Sequence, residues 1–233
     1  MAIPLSLGVP RRRGPQSLLE GLLSACVDAT SRSDLSVGDS FGPPVVAASK
    51  LLDSAGTEAG RVIVDLDVDP AELQTHEQAS YEAVRFHLDC SVDQLTVALA
   101  LRLSAPLAIF VASTGDDRGL GDTVLQIVEA GCVPGLSSGH SIGAVADFLA
   151  VLAHADIGYV ARAKDTAEVL SLLSGTVASL CGEDTRRALA NPEPAKLTVL
   201  NAAAAEAVRE VLLGVEVSDP SLVERELAAL GLQ

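Results

Sequence analysis

The apolar run Val62-Ile63-Val64 delivers Asp65, Asp67 and Asp69 and is stopped by Pro70. If the run is a buried strand, alternation sends the three carboxylates off its carboxyl end on one side. Close carboxylates repel, so the arrangement calls for a cation, a metal-bound phosphate or a solvated loop. Two further loops carry reactive residues. One is Ser113-Thr114-Gly115-Asp116-Asp117-Arg118-Gly119, leading to Asp122, after the apolar stretch 107–112. Its glycines permit tight turns and close backbone approach, which suits a metal or phosphate. They equally make ordinary turns, with Asp122 capping the helix that follows. The other is Gly139-His140-Ser141-Ile142-Gly143, which fits G-x-S-x-G, a turn that sets a nucleophilic serine between strand and helix. A catalytic base would have to come later in the chain, yet His154 lies on the very next helix and no histidine follows it, which leaves Ser141 without a triad partner. The helix-start amides of the same turn could hold an anion. His87 and Asp89 close another strand beside Cys90.

These loops need elements to position them. The spacing of Leu18, Leu19, Leu22, Leu23 and Cys26 predicts a helix over 17–30. A Ser/Asp/Gly/Pro-rich loop follows over 31–44, then a short helix over 45–54. Strands are expected at 61–67, 83–88, 107–112, 133–136, 156–161 and 197–200. Helices are expected at 92–103 with Ser91 as cap, and at 120–130, 143–154, 166–180, 202–213 and 221–230. Strand and helix alternate, and the strands are continuously apolar. That is an α/β fold: three layers, with a mostly parallel open sheet of about five or six strands flanked by helices. A closed barrel of eight units typically takes about 250 residues. The chain divides into an N-terminal arm and helix (1–44), an α/β domain (45–217) and a C-terminal helix (218–233). In such sheets ligands bind beyond the carboxyl ends of the strands, where all these loops lie.

Composition narrows the chemistry. Of 233 residues, 48% are hydrophobic but only 3% aromatic, so the core is aliphatic. A formal net charge of −15 argues against nucleic acid as a partner, because phosphate backbones need clustered Lys and Arg. The basic cluster Arg11-Arg12-Arg13 sits in a Pro/Gly-flanked arm. No apolar run nears the roughly 20 residues of a membrane helix, and no secretory signal is read at the start. A soluble, cytoplasmic protein without membrane contact is expected. Cys26, Cys90, Cys132 and Cys181 form no C-x-x-C pair and read as reduced, buried thiols. His76, His87, His140 and His154 lack zinc spacing, and neither a P-loop nor G-x-G-x-x-G is present.

The hydrophobic-Asp-x-Asp pattern at Asp65 and Asp67 resembles the first motif of the haloacid dehalogenase-like phosphatase superfamily. The resemblance spans roughly 61–170. It includes Ser113 and Thr114 at the end of a following strand, and a segment from Asp147 to Gly158 with Ala163-Lys164 after it. It departs from the family in lacking Gly-Asp before that helix and a lysine between Ser113 and Asp147. It implies an Mg²⁺-dependent phosphatase-like or phosphoryl-transfer enzyme acting on a small phosphorylated molecule. Asp65, Asp67 and Ser113 would be catalytic, Thr114 and Lys164 would bind substrate, and Asp65, Asp67 and Asp147 would hold the metal. The GHSIG form resembles the elbow of malonyl-transferring acyltransferases and implies a nucleophilic Ser141. A third expectation is a non-catalytic subunit whose Ala/Leu-rich helices bind another protein or copies of the chain as a homo-oligomer.

Overall fold

The computed structural model describes residues 17–27, 40–53, 58–70, 80–112 and 119–232. Among these, the strands are β1 (Leu23–Ala25), β2 (Val45–Ala47), β3 (Glu58–Asp65), β4 (Ser80–Cys90), β5 (Leu107–Val111), β6 (Val133–Leu136), β7 (Tyr159–Arg162) and β8 (Leu212–Val217). All eight are parallel, in the order β1-β8-β7-β6-β5-β4-β3-β2. The two end strands also meet. Cys26 forms a parallel bridge with Val45, and the Val27 N–H donates to the Val45 carbonyl at 2.9 Å. Each strand therefore lies beside its successor in sequence, and the sheet is barrel-like.

The helices are α1 (Ala48–Asp53), α2 (Leu95–Leu99), α3 (Leu120–Glu129), α4 (Ile142–Leu152), α5 (Thr166–Cys181), α6 (Thr185–Ala190), α7 (Pro194–Thr198), α8 (Ala202–Val211) and α9 (Pro220–Ala229). Alternate strand residues face outward onto them. Val62, Val64, Phe86, Leu107 and Ile109 pack with Leu51, Leu95 and Ala98 on one side. Tyr159, Leu212 and Val215 pack with Phe148, Leu173 and Leu227 on the other. Leu22 and Leu23 near the start and Val223 and Leu232 near the end share that second cluster. The inward set Ala108, Phe110, Val133 and Val160 fills only part of the lumen. Val45 and Ile63 add apolar lining, while Arg85, His87, Asp89, Arg162 and Glu216 supply polar groups, and those are what make a site.

The α/β class, with a parallel sheet flanked by helices, is as expected. The strands at 107–112 and 133–136 and the helices at 120–130, 143–154, 166–180 and 221–230 stand within two residues of their expected bounds. Among the described residues the strands number eight, not five or six, and the sheet is barrel-like rather than open, because its two end strands meet. The helix expected over 17–30 is replaced by β1, because its four leucines are buried around a turn and a three-residue strand. The helix expected over 45–54 divides into β2 and α1. The strand expected at 197–200 falls in α7 and the chain just after it, where Pro194 at the first turn starts a helix. The helix expected over 202–213 ends at Val211, and the chain passes directly into β8. Cys90 and Cys132 are buried, whereas Cys26 and Cys181 are exposed. Among the described residues no helix is long and apolar enough to cross a membrane.

Candidate active site

Parallel strands bring all their carboxyl ends to one face. Asp65 closes β3, Asp89 is the penultimate residue of β4, Arg162 closes β7, and Glu216 is penultimate in β8. Register pairs Asp65 with His87, Asp89 with Phe110, and Arg162 with Glu216, so these groups share the upper levels of the lumen. The Arg162 guanidinium joins three carboxylates. Its Nη1 donates to Asp89 Oδ1 at 2.6 Å and its Nε to Glu216 Oε2 at 3.1 Å, while Nη2 lies 3.6 Å from Asp65 Oδ1. Beneath it the Phe110 ring lies 4.0 Å from the guanidinium carbon, a stacked cation–π contact. Gly135 makes that ring position possible: a Cβ there would stand 2.5 Å from Phe110 Cγ.

The electrostatics of the cluster single out Asp65. Burial pushes its carboxyl up, Arg162 pulls it down, and Asp89, Glu216 and Asp67 push it up again, leaving it at about 6 against an ordinary 3.8. Glu216 goes the other way. Burial alone would raise it, but the His87 imidazole and the Arg162 guanidinium hold it below the usual carboxylate range. One acid near neutrality beside another held ionised is the kind of split that acid–base catalysis uses.

Under this layer β4 continues inward through His87 and Arg85. His87 is only 2% exposed. Burial lowers its pKa, so the ring is neutral. The Arg85 Nε–H donates to His87 Nε2 at 3.2 Å, which places the ring proton on Nδ1. That Nδ1–H faces Glu216 Oε2 at 3.7 Å, beyond hydrogen-bond length, and has no other partner. The ring also meets Phe110 edge-on, with centroids 5.2 Å apart.

Of the residues singled out from sequence, Asp65 and Asp89 sit in this cluster, with His87 beneath them. Asp67 is near enough to act on Asp65 electrostatically but has other work. Its carboxylate accepts the Ser49 N–H at 2.8 Å and the Ser49 hydroxyl at 2.5 Å, fixing the first turn of α1 to the loop after β3. Asp147 is not in the group; it is exposed on α4 and pairs with Arg186 of α6 at 2.9 Å. The residues of the expected Mg²⁺ site are therefore not assembled: Asp65 faces Arg162, Asp67 holds Ser49, and Asp147 lies on the helical layer. Among the described residues no group of three or more His, Cys, Asp and Glu side chains is placed to hold a metal ion. Ser113, Thr114, Asp116 and Asp117 lie outside the described residues.

Lys164 lies exposed in the loop after β7, two residues beyond Arg162. Its backbone N–H donates to Glu168 Oε2 at 2.9 Å, and the Gly139 N–H donates to Glu168 Oε1 at 3.2 Å. Glu168 thereby ties the loops after β6 and β7 together. Ser141 follows β6 and precedes α4, as a nucleophile elbow would. Its backbone is ordinary extended chain, and its hydroxyl accepts the Ala144 N–H as the α4 cap.

Arg162, Glu216 and Arg85 were not singled out from the sequence. Arg162 had the same signal as Asp65, a charge ending an apolar run, in Tyr159-Val160-Ala161-Arg162. Glu216 is concealed because the first two residues of its strand, Leu212 and Leu213, read as the end of a helix, which leaves too little of the strand to recognise. Arg85 belongs to an alternation, Arg85-x-His87-x-Asp89, that marks a polar inner face. No family model, curated protein or solved structure matches the chain.

Proposed function

We propose that the chain is an acid–base enzyme acting at the carboxyl end of its barrel. Asp65 takes a proton from a small polar substrate and returns it, while Arg162 fixes the surrounding carboxylates. The observation that carries this reading is the convergence of Asp65, Asp89 and Glu216, from β3, β4 and β8, on the one guanidinium from β7. Active sites of parallel barrels lie at this end, built from the ends of several strands. An acid near the operating pH is the most efficient proton carrier, and Asp65 at about 6 meets that condition.

The excess of acids sets the substrate class. Three carboxylates around one guanidinium repel an anion and favour a neutral polyhydroxylated molecule or an amine. Barrels commonly bind phosphate in the loops after β7 and β8. Here Glu168 accepts the Lys164 amide of the loop after β7, together with the Gly139 amide of the loop after β6, so those two amides are already engaged by a carboxylate of the chain. That separates this reading from phosphoryl transfer.

The test is turnover of a panel of small sugars, polyols and amines, run in D₂O so that proton exchange is counted as well as net conversion. Loss of turnover or exchange in Asp65→Asn, with retention in Asp147→Asn, is the expected result. An Asp65→Asn protein as active as wild type would overturn the proposal. So would Mg²⁺-dependent release of phosphate from an aryl phosphate, which would restore the phosphoryl-transfer reading.

A further inference from the structure

Arg85 is the strangest charge in the molecule. It lies in the middle of β4 on the inward face, below His87. Burial pulls its pKa down to about 10, and no charge of opposite sign acts to restore it. A guanidinium has five N–H donors, and here one is used, on a neutral imidazole nitrogen. The chain is not short of acids: it carries 31 Asp and Glu against 16 Lys and Arg. Yet among the described residues none pairs with Arg85, while three crowd Arg162. Across the lumen β8 presents Gly214, where a Cβ would come within 3.3 Å of Arg85 Nη2. A residue without a side chain at that position lets the outer nitrogens of the guanidinium approach β8 this closely.

Arg85 is half-buried, and a cation drawn partly out of water without a counter-charge is costly; in folded proteins such groups are paired. We propose that Arg85 anchors a small oxyanion of carboxylate size in the barrel lumen, a site distinct from the acidic cluster above it. Shape favours a planar carboxylate over a spherical ion, because the paired Nη donors match two oxygens in one plane. The site is connected to the upper cluster through one side chain: His87 accepts from Arg85 on one nitrogen and faces Glu216 with the other.

The test uses the full chain with sodium formate as probe and sodium chloride at equal ionic strength as reference. Calorimetric titration should detect one formate site per chain, and thermal unfolding should shift upward in formate more than in chloride. Arg85→Met should lose both effects. Arg85→Lys, which keeps the charge but not the fork, should bind formate about tenfold more weakly. In chloride alone Arg85→Met should be at least as stable as wild type, since it removes a half-buried charge that no acid among the described residues pairs. Absence of a formate-specific shift in wild type overturns the proposal, as does an equal shift in Arg85→Met. If Arg85→Met does not fold, the wild-type titration and Arg85→Lys still decide the matter: no formate site, or unchanged affinity in Arg85→Lys, overturns it. These readouts are independent of turnover, so failure of the acid–base reading leaves them intact.

Discussion

Two arginines enter one lumen and are treated oppositely. Arg162, at the carboxyl end of β7, has three carboxylates and an aromatic face; Arg85, within β4, has a single imidazole. The first region has more negative charge than positive, and burial together with that surplus raises the proton affinity of Asp65. The second has a cation that no acid among the described residues pairs, and its burial lowers the pKa of Arg85 with nothing opposing it. An ion cluster built only to hold strands together would balance its charges. Here both regions are out of balance, in opposite directions and one above the other. A lumen usually filled by layers of branched aliphatic residues is given over on the β4 side to Arg85, His87 and Asp89.

The sharpest way to break the contrast is to remove the paired arginine. Arg162→Met leaves three carboxylates facing one another with a side chain 23% exposed taken away. Breaking such a cluster on one side costs about 3 kcal/mol. The urea midpoint at pH 7.5 should drop accordingly, and the loss should shrink on acidification as Asp65 takes up a proton. A variant as stable as wild type at pH 7.5 would mean that the cluster carries no net attraction.

Next in size is Asp65→Asn. Its folded pKa of about 6 lies above the ordinary 3.8, so the folded state binds this proton more tightly than the unfolded chain. The contribution to stability is full below about 3.8 and is lost as pH rises through about 6, amounting to at most about 3 kcal/mol. Asp65→Asn should thus be more stable than wild type at pH 7.5, equal to it near pH 3.5, and inactive throughout. Gain of stability with loss of turnover is the behaviour of a residue kept for function. Denaturation curves at the two pH values check the sign.

That Asp65 and Asp89 are legible in the sequence and Arg162 and Glu216 are not has a physical cause. An apolar run ending in a charge is a local pattern, and Val62-Ile63-Val64-Asp65 presents it in four consecutive residues. Arg162 and Glu216 come from strands far along the chain, and proximity between β3 and β8 depends on ring order, which no local pattern contains. Strand length decided the rest. β1 and β2 are three residues each, too short to establish a period of two, and β2 runs straight into α1. β8 follows α8 with no glycine or proline between them, so helical spacing carries over the boundary at Leu212. The longer β4 and β5 and the amphipathic α3, α4 and α5 were readable because each repeats its pattern several times.

Gly135→Ala tests the floor under Arg162. The added methyl would stand 2.5 to 2.7 Å from three Phe110 ring atoms, so the ring must swing away from the guanidinium. Overpacking of this kind costs about 1–2 kcal/mol. The Asp65 titration should also shift, because Arg162 would lose the surface that sets its height. An unchanged Asp65 titration, read by carboxyl carbon NMR, would show that Phe110 does not position Arg162.

The smallest effect expected is at Gly214, the counterpart of Gly135 beneath Arg85. Here the added Cβ would stand 3.3 Å from Arg85 Nη2 and 3.6 Å from the Leu22 carbonyl oxygen. The nearer neighbour is the far end of a flexible side chain, so it can give by a few tenths of an ångström, and Gly214→Ala should change stability by only about 0.5 kcal/mol. The same methyl narrows the space beside the guanidinium, so formate affinity should fall even though folding barely changes. Two glycines of one lumen then report different things. Gly135 holds a ring under a satisfied cation, and its loss is felt as stability. Gly214 holds room beside an unsatisfied one, and its loss is felt as binding. If Gly214→Ala instead unfolds the protein as readily as Gly135→Ala, the space beside Arg85 is part of the packing, and the contrast between the two arginines reduces to their partners alone.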